Sequence, residues 1–205
     1  MNLCTIIVTR SKSCSVKTLH TILRLNVTCF HRKVDHQIMY VEDDPYQKAE
    51  MIKKCMGKYD RIFFIDFGVC VDENSLIKIF EPNPNIGVLV FPAVKEGIDW
   101  EMFKDKVRKD SKEPVSQMGL HFDTELGKKC DTDIYNVVKT SPKSWVMNTK
   151  LCSKMGHTLK TYHTMFDKCS ENKIRVCAYT ASKLILTYTH ECISNIKNAA
   201  GVKVG

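Results

Sequence analysis

The stretch "RIFFIDFG" places one carboxylate, Asp66, at the end of an apolar run. Hard divalent cations want oxygen ligands, so a carboxylate in that position is a candidate metal ligand. Two further polar clusters follow apolar runs in the same way. Thr9 and Arg10 follow residues 3–8, and Glu42, Asp43 and Asp44 follow residues 37–41. The second half of the chain offers other groups. Asp123 and Glu125 lie in "GLHFDTELG" with His121, Asp99 stands beside Trp100, and His190 follows the apolar run 184–188. A carboxylate such as Asp123 can accept a proton in general base catalysis. The two tryptophans, Trp100 and Trp145, suit either stacking on a ligand ring or the core.

These groups need elements to hold them. Residues 3–8 form a continuous β-branched run, as in a strand buried on both faces. Ser15 suits the cap of a helix whose apolar positions Val16, Leu19, Ile22, Leu23 and Val27 follow helical spacing. Residues 37–41 read as a second strand. Asp44 then caps a second helix with Pro45 at its first position. Residues 61–65 are a third strand, and Asp72 or Asn74 starts a short helix through Phe80. Residues 86–91 read as a fourth strand stopped by Pro92. An amphipathic helix over 98–107 has Ile98, Met102, Phe103 and Val107 as expected core contacts. The pattern weakens from 110 to 142, which is long for a structureless loop. A short strand is expected at 144–147, helical segments at 151–159 and 162–170, strands at 174–178 and 184–188, and a short helix after Glu191.

Alternating strands and helices predict a single α/β domain, Rossmann-like, with a mixed, mostly parallel sheet and helices on both faces. Such folds bind ligands beyond the carboxyl ends of their strands, which is where Thr9, Arg10, Asp43, Asp44, Asp66 and Gly68 fall.

Composition narrows the functions. The chain has 205 residues and a formal charge of +8, which suits an anionic partner. No nucleic-acid motif accompanies the charge, so a nucleic-acid partner is not expected. The longest apolar runs are too short for a bilayer span. The ten cysteines form no Cys-x-x-Cys pair, and several sit in apolar segments as small hydrophobes. A reducing, cytoplasmic location is expected. Asp66-Phe67-Gly68 spells a protein-kinase motif, but the glycine-rich loop, strand lysine and His-Arg-Asp loop of kinases are missing. A Walker loop and a Gly-x-Gly-x-x-Gly turn are missing too.

The order of first strand, acidic cluster after the second strand, and "RIFFIDFG" ahead of a short helix resembles the GT-A fold of nucleotide-sugar glycosyltransferases. In that family the corresponding strand ends in an Asp-x-Asp motif holding manganese or magnesium against the donor diphosphate. The resemblance implies residues 1–92 as a nucleotide-binding half and 93–205 as an acceptor half. It implies Asp66 and His190 as metal ligands, Arg10 or Lys12 against the phosphates, Asp43 or Asp44 on the base or ribose, and Asp123 as the first candidate for the base that takes the acceptor's proton. The donor would be a nucleotide-diphosphate sugar and the acceptor a glycan or protein. The second aspartate of the motif is replaced here by Gly68, and Phe67 is expected to pack its ring inward. Compact glycosyltransferases and their relatives occur in large DNA viruses. The alternative is therefore a catalytically inactive GT-A-like structural protein, for example a virion component.

Overall fold

The computed structural model describes residues 1–94, 98–112, 115, 118–182 and 184–186. The chain order is β1 (Asn2–Thr9), α1 (Val16–His31), β2 (Asp35–Glu42), α2 (Pro45–Cys55), β3 (Arg61–Ile65), β4 (Val69–Val71), α3 (Glu73–Lys78) and β5 (Val88–Val90). It continues with α4 (Trp100–Arg108), β6 (Thr124–Asp131), β7 (Ile134–Thr140), β8 (Ser144–Asn148), α5 (Thr149–Gly156), α6 (Met165–Glu171), β9 (Val176–Tyr179) and β10 (Leu184–Leu186).

Eight strands make one sheet in the order β2-β1-β3-β8-β5-β9-β7-β6, and β4 pairs with β10 beside it. Six of the eight run in one direction, while β7 and β8 are reversed. The domain is therefore α/β with a mixed sheet, as expected. Alternation along the central strands divides the core. Leu3, Ile7, Phe63 and Ile65 face one layer with Ile22 and Leu25 of α1. Cys4, Ile6, Phe64 and Trp145 face the other with Ile52 of α2 and Met155 of α5. Both faces of the sheet are thus closed by helices, which is why its central strands β1 and β3 are buried along nearly their whole length.

Several expectations shift. Helix α1 forms, but Val16, Leu19, Leu23 and Val27 are exposed, and its inner face is Thr18, Thr21, Ile22, Leu25 and Cys29. Ser15 makes no side-chain cap bond. The fourth strand is shorter than 86–91. In α4 no residue is fully buried and Val107 is 52% exposed, so that helix rests on the surface instead of filling the core. Residues 110–142 contain the β6–β7 hairpin. Its strand β6 is exposed along nearly its whole length, and its pairing with β7 is broken by register shifts. Neither feature leaves the period-two signal by which a strand is read. The expected helix after Glu191 lies outside the described residues.

The topology fixes where the polar clusters go. Thr9 is opposite Glu42, and Ile7 is opposite Ile65. The carboxyl ends of β1, β2 and β3 are therefore level with one another.

Candidate functional site

The end of β1 carries the first contacts. Thr9 is buried, and its hydroxyl donates to the Val41 carbonyl at 3.2 Å. The Arg10 Nε donates to Asp43 Oδ2 at 2.8 Å. Asp43 also accepts from the Lys48 ammonium, which comes from the first turns of α2. Burial would raise the Asp43 carboxyl, but Lys48 and then Arg10 outweigh it and hold it below the ordinary range. Lys48 is only 7% exposed, and its ammonium also lies 5.3 Å from the centre of the Tyr162 ring. Asp44 has a different task. Its Oδ1 accepts from the backbone N–H groups of Tyr46 and Gln47 and caps α2, which follows directly from the Asp-Pro pair in the sequence.

Asp66 leaves β3 half-buried. Its N–H donates to the Lys143 carbonyl at 2.8 Å and its Oδ1 accepts from the Phe67 N–H at 2.8 Å. The Asp66 carbonyl receives the Val69 N–H, which closes a β-turn over 66–69. Gly68 is the third residue of that turn and has φ +78°. A side chain with a Cβ is disfavoured there. The second carboxylate of an Asp-x-Asp pair is thus replaced by the glycine that lets the chain reverse into β4. Phe67 is half-buried, and its ring lies 5.3 Å under the Arg10 guanidinium instead of joining the core.

The reversed strand β8 begins at this same edge, since Ser144 lies opposite Ile65. Beyond it, Asp123 ties the exit of β5 to the hairpin. Its Oδ1 accepts from the Ala93 N–H and the Thr124 hydroxyl, while Oδ2 is buried with no hydrogen-bond partner among the described residues. Asp123 is 6% exposed, and this burial raises its carboxyl above the ordinary range despite the N–H of Ala93.

Tyr162 joins the two groups. Its hydroxyl accepts from Trp145 Nε1 at 3.0 Å and donates to the Pro142 carbonyl at 3.4 Å. Its ring stacks on Phe64, which stacks in turn on Trp145. Burial pushes the phenol up, and the carboxylates of Asp66, Asp123 and Asp43 push it further. Three carboxylates from distant parts of the chain therefore act electrostatically on one phenol. A cavity of about 270 Å³ opens beside it, lined by Val138, Thr140, Ser141, Tyr162, His163 and Phe166. Sequence reasoning missed Lys48 and Tyr162. Only the Asp-Pro cap, which fixes the start of α2, signals where Lys48 falls.

The remaining candidates separate from this edge or leave it. Glu125 is on the exposed face of β6. Asp99 caps α4 and accepts from His121 Nε2 at 2.8 Å. Trp145 is core, and Trp100 lies half-exposed against Phe103. His190 lies outside the described residues. Among the described residues no three His, Cys, Asp or Glu side chains gather as a metal cluster. Asp43 is engaged by two cations, Asp44 by its helix, and Gly68 has no donor. Asp66 is therefore a described carboxylate of the edge that could hold a divalent cation.

No family model and no curated protein sequence matches the chain. Solved structures do match. A putative glucose-1-phosphate thymidylyltransferase from Bacillus anthracis, in complex with sucrose, has TM-score 0.50 and 10% identity over 99% of this chain and 96% of that one. The protein A197 from STIV has TM-score 0.49 and 14% identity over 91% and 85%. A Drosophila galactosyltransferase in complex with manganese, UDP-Gal and xylobiose has TM-score 0.45 and 11% identity over 88% of this chain and 65% of its own. At these identities the likeness concerns the fold, and the chain has a single-domain α/β fold of the GT-A, Rossmann-like kind.

Proposed function

We propose that the chain transfers a sugar from a nucleotide-diphosphate sugar to an acceptor hydroxyl, with the donor diphosphate seated at the carboxyl edge of β1, β2 and β3. The observation that carries this reading is the Arg10–Asp43–Lys48 network. Two cations share one carboxylate, so the network keeps a surplus positive charge. Arg10 uses Nε for Asp43 and its face for Phe67. Its two terminal nitrogens make no hydrogen bond among the described residues. A guanidinium held in this way is ready for bidentate contact with phosphate oxygens.

In the reaction the bond between the sugar's anomeric carbon and the diphosphate oxygen breaks, with the electron pair leaving on the diphosphate. The acceptor oxygen bonds to that carbon and its proton passes to a base. Arg10 and Lys48 offset the charge that develops on the leaving group. Asp123 is the proposed base, since burial raises its carboxyl and so makes its ionised form a stronger proton acceptor. A divalent cation held by Asp66 and His190 would supply Lewis-acid stabilisation of the diphosphate. The cavity beside Tyr162 is the proposed place of the acceptor, and residues 1–92 and 93–205 are the proposed donor and acceptor halves.

The alternative, a GT-A-like structural protein, is favoured by Gly68, whose backbone conformation disfavours a second acidic ligand there. Calorimetry with UDP, GDP, dTDP and their sugars, with and without manganese, separates the two. Binding lost in Asp66→Ala and Arg10→Ala is the expected result. No binding to any of these nucleotides would remove the transferase reading.

A further inference from the structure

The outer face of α1 carries a second apolar pattern that the fold does not use. Val16, Leu19, Leu23, Val27 and Phe30 are all exposed, the two end residues at 81% each. They recur at intervals of three and four residues. At about 100° per residue they fall within an arc of about 80°, well away from the buried face of Thr18, Ile22, Leu25 and Cys29. The strip beside them, on the same side throughout, holds Lys17, His20, Arg24 and His31. Arg32 and Lys33 follow at the helix end, and α1 has no acidic residue. Lys17 and Arg24 form no ion pair among the described residues.

We propose that this face of α1 docks on an anionic lipid surface, lying in its plane with the five apolar side chains inserted between headgroups and the cationic strip on the phosphates. An apolar stripe edged by Lys and Arg, with Phe and Leu on the inserted side, is the pattern of helices that lie in a membrane interface. The size of the stripe favours lipid over protein. It runs about 21 Å along the helix and about 10 Å across. That is near 200 Å², well below the roughly 800 Å² per partner of a stable protein interface. A second copy of α1 would match the stripe but set its own cations beside these, with no acidic residue on either helix to offset them. The stripe begins at Val16, directly after the turn that carries Arg10. A docked surface would therefore run beside the sheet edge, whatever chemistry that edge performs.

The test is co-sedimentation of the full chain with vesicles of phosphatidylcholine alone and vesicles with roughly one-third phosphatidylglycerol. Binding to the anionic vesicles only, weakened by salt, is expected. Leu23→Asp with Phe30→Ser, and separately Lys17→Glu with Arg24→Glu, should each weaken it by roughly tenfold or more. Leu23, Arg24 and Phe30 are exposed and Lys17 is half-buried, and circular dichroism should show unchanged folding in both variants. No binding to anionic vesicles, or binding that both double variants retain, overturns the proposal. So does a dimer in sedimentation equilibrium that Leu23→Asp dissolves while vesicle binding is absent, since a second copy then covers the stripe.

Discussion

The Arg10 guanidinium lies 5.3 Å from the centre of the Phe67 ring while its Nε holds Asp43 at 2.8 Å. Residues following three adjacent parallel strands thus fix a single side chain. A guanidinium constrained on one edge and one face has little rotamer freedom left to lose when a phosphate arrives. Lysine keeps the charge but not the fork or the stacking. Arg10→Lys should therefore raise the Kd for a nucleotide diphosphate by about tenfold, or about 1.4 kcal/mol, measured by calorimetry. An unchanged Kd would move the phosphate site away from Arg10.

Lys48 and Asp43 predict an asymmetry. Lys48 is buried, so Asp43→Ala leaves its ammonium without a counter-charge. A loss of about 2 kcal/mol in urea unfolding is expected, reduced from the value for a fully buried pair because Asp43 is about a third exposed. Lys48→Met removes the charge and keeps the stem against Tyr162. That variant should unfold within about 1 kcal/mol of the parent. Equal losses in the two variants would mean that Asp43 does not hold a stranded cation.

Gly68→Asp restores the acidic pair of the motif on paper and should cost stability. An L residue at φ +78° is strained by about 1–2 kcal/mol. For a domain of this size that lowers the Tm by about 2–6 °C. Gly68→Asn should be milder, because asparagine tolerates the left-handed region better than most residues. A Gly68→Asp protein as stable as the parent would show that the turn into β4 can be rebuilt.

Local chemistry explains what was legible in the sequence. Strand β3 reads correctly because it is apolar and continuous, and α2 because Asp44 and Pro45 define its first turn. The level edge of Arg10, Asp43 and Asp66 follows from counting parallel strands. Contacts between segments distant in sequence explain most of the rest. Lys48 and Tyr162 meet only because α2 and the turn before α6 cover the same face of the sheet, and nothing local marks either residue. The hairpin β6–β7 is hidden by exposure and by its register shifts. Helix α1 shows a third kind of gap. Spacing identifies the helix, but its outer stripe is as regular as a core face, and only the tertiary structure tells which side is buried.

His36 makes stability depend on pH. It joins three elements, with Nε2 2.8 Å from Thr5 Oγ1 and Nδ1 3.1 Å from Asn26 Oδ1. Burial lowers its affinity for a proton more than Asp35 raises it. The unfolded chain therefore takes up a proton first as pH falls below the ordinary value of 6.5. Over that window the unfolded state binds more protons, so stability drops as pH falls and levels off once the folded histidine also titrates. Urea midpoints at pH 7.5 and about one unit below the histidine value should differ, and the difference should shrink in His36→Gln. A His36→Gln protein with the same pH slope would assign that slope to other groups.

Asp123 separates structure from chemistry in one substitution. Burial raises its carboxyl, so the folded state keeps the proton longer than the unfolded chain as pH rises. The contribution to stability is then present at low pH and is lost as pH rises through the folded value. Once ionised, the buried carboxylate is a burden on the fold. Asp123→Asn keeps an oxygen for the Ala93 N–H and the Thr124 hydroxyl while removing the charge. Its stability at pH 7 should stay within about 1 kcal/mol of the parent. Transfer is another matter, because an amide cannot accept the acceptor's proton. If Asp123 is the base, kcat should fall by roughly 10²–10⁴ with donor affinity unchanged. A stable variant that transfers sugar at the parent rate would leave Asp123 with its structural task alone, joining β5 to the hairpin, and the base would have to be sought elsewhere.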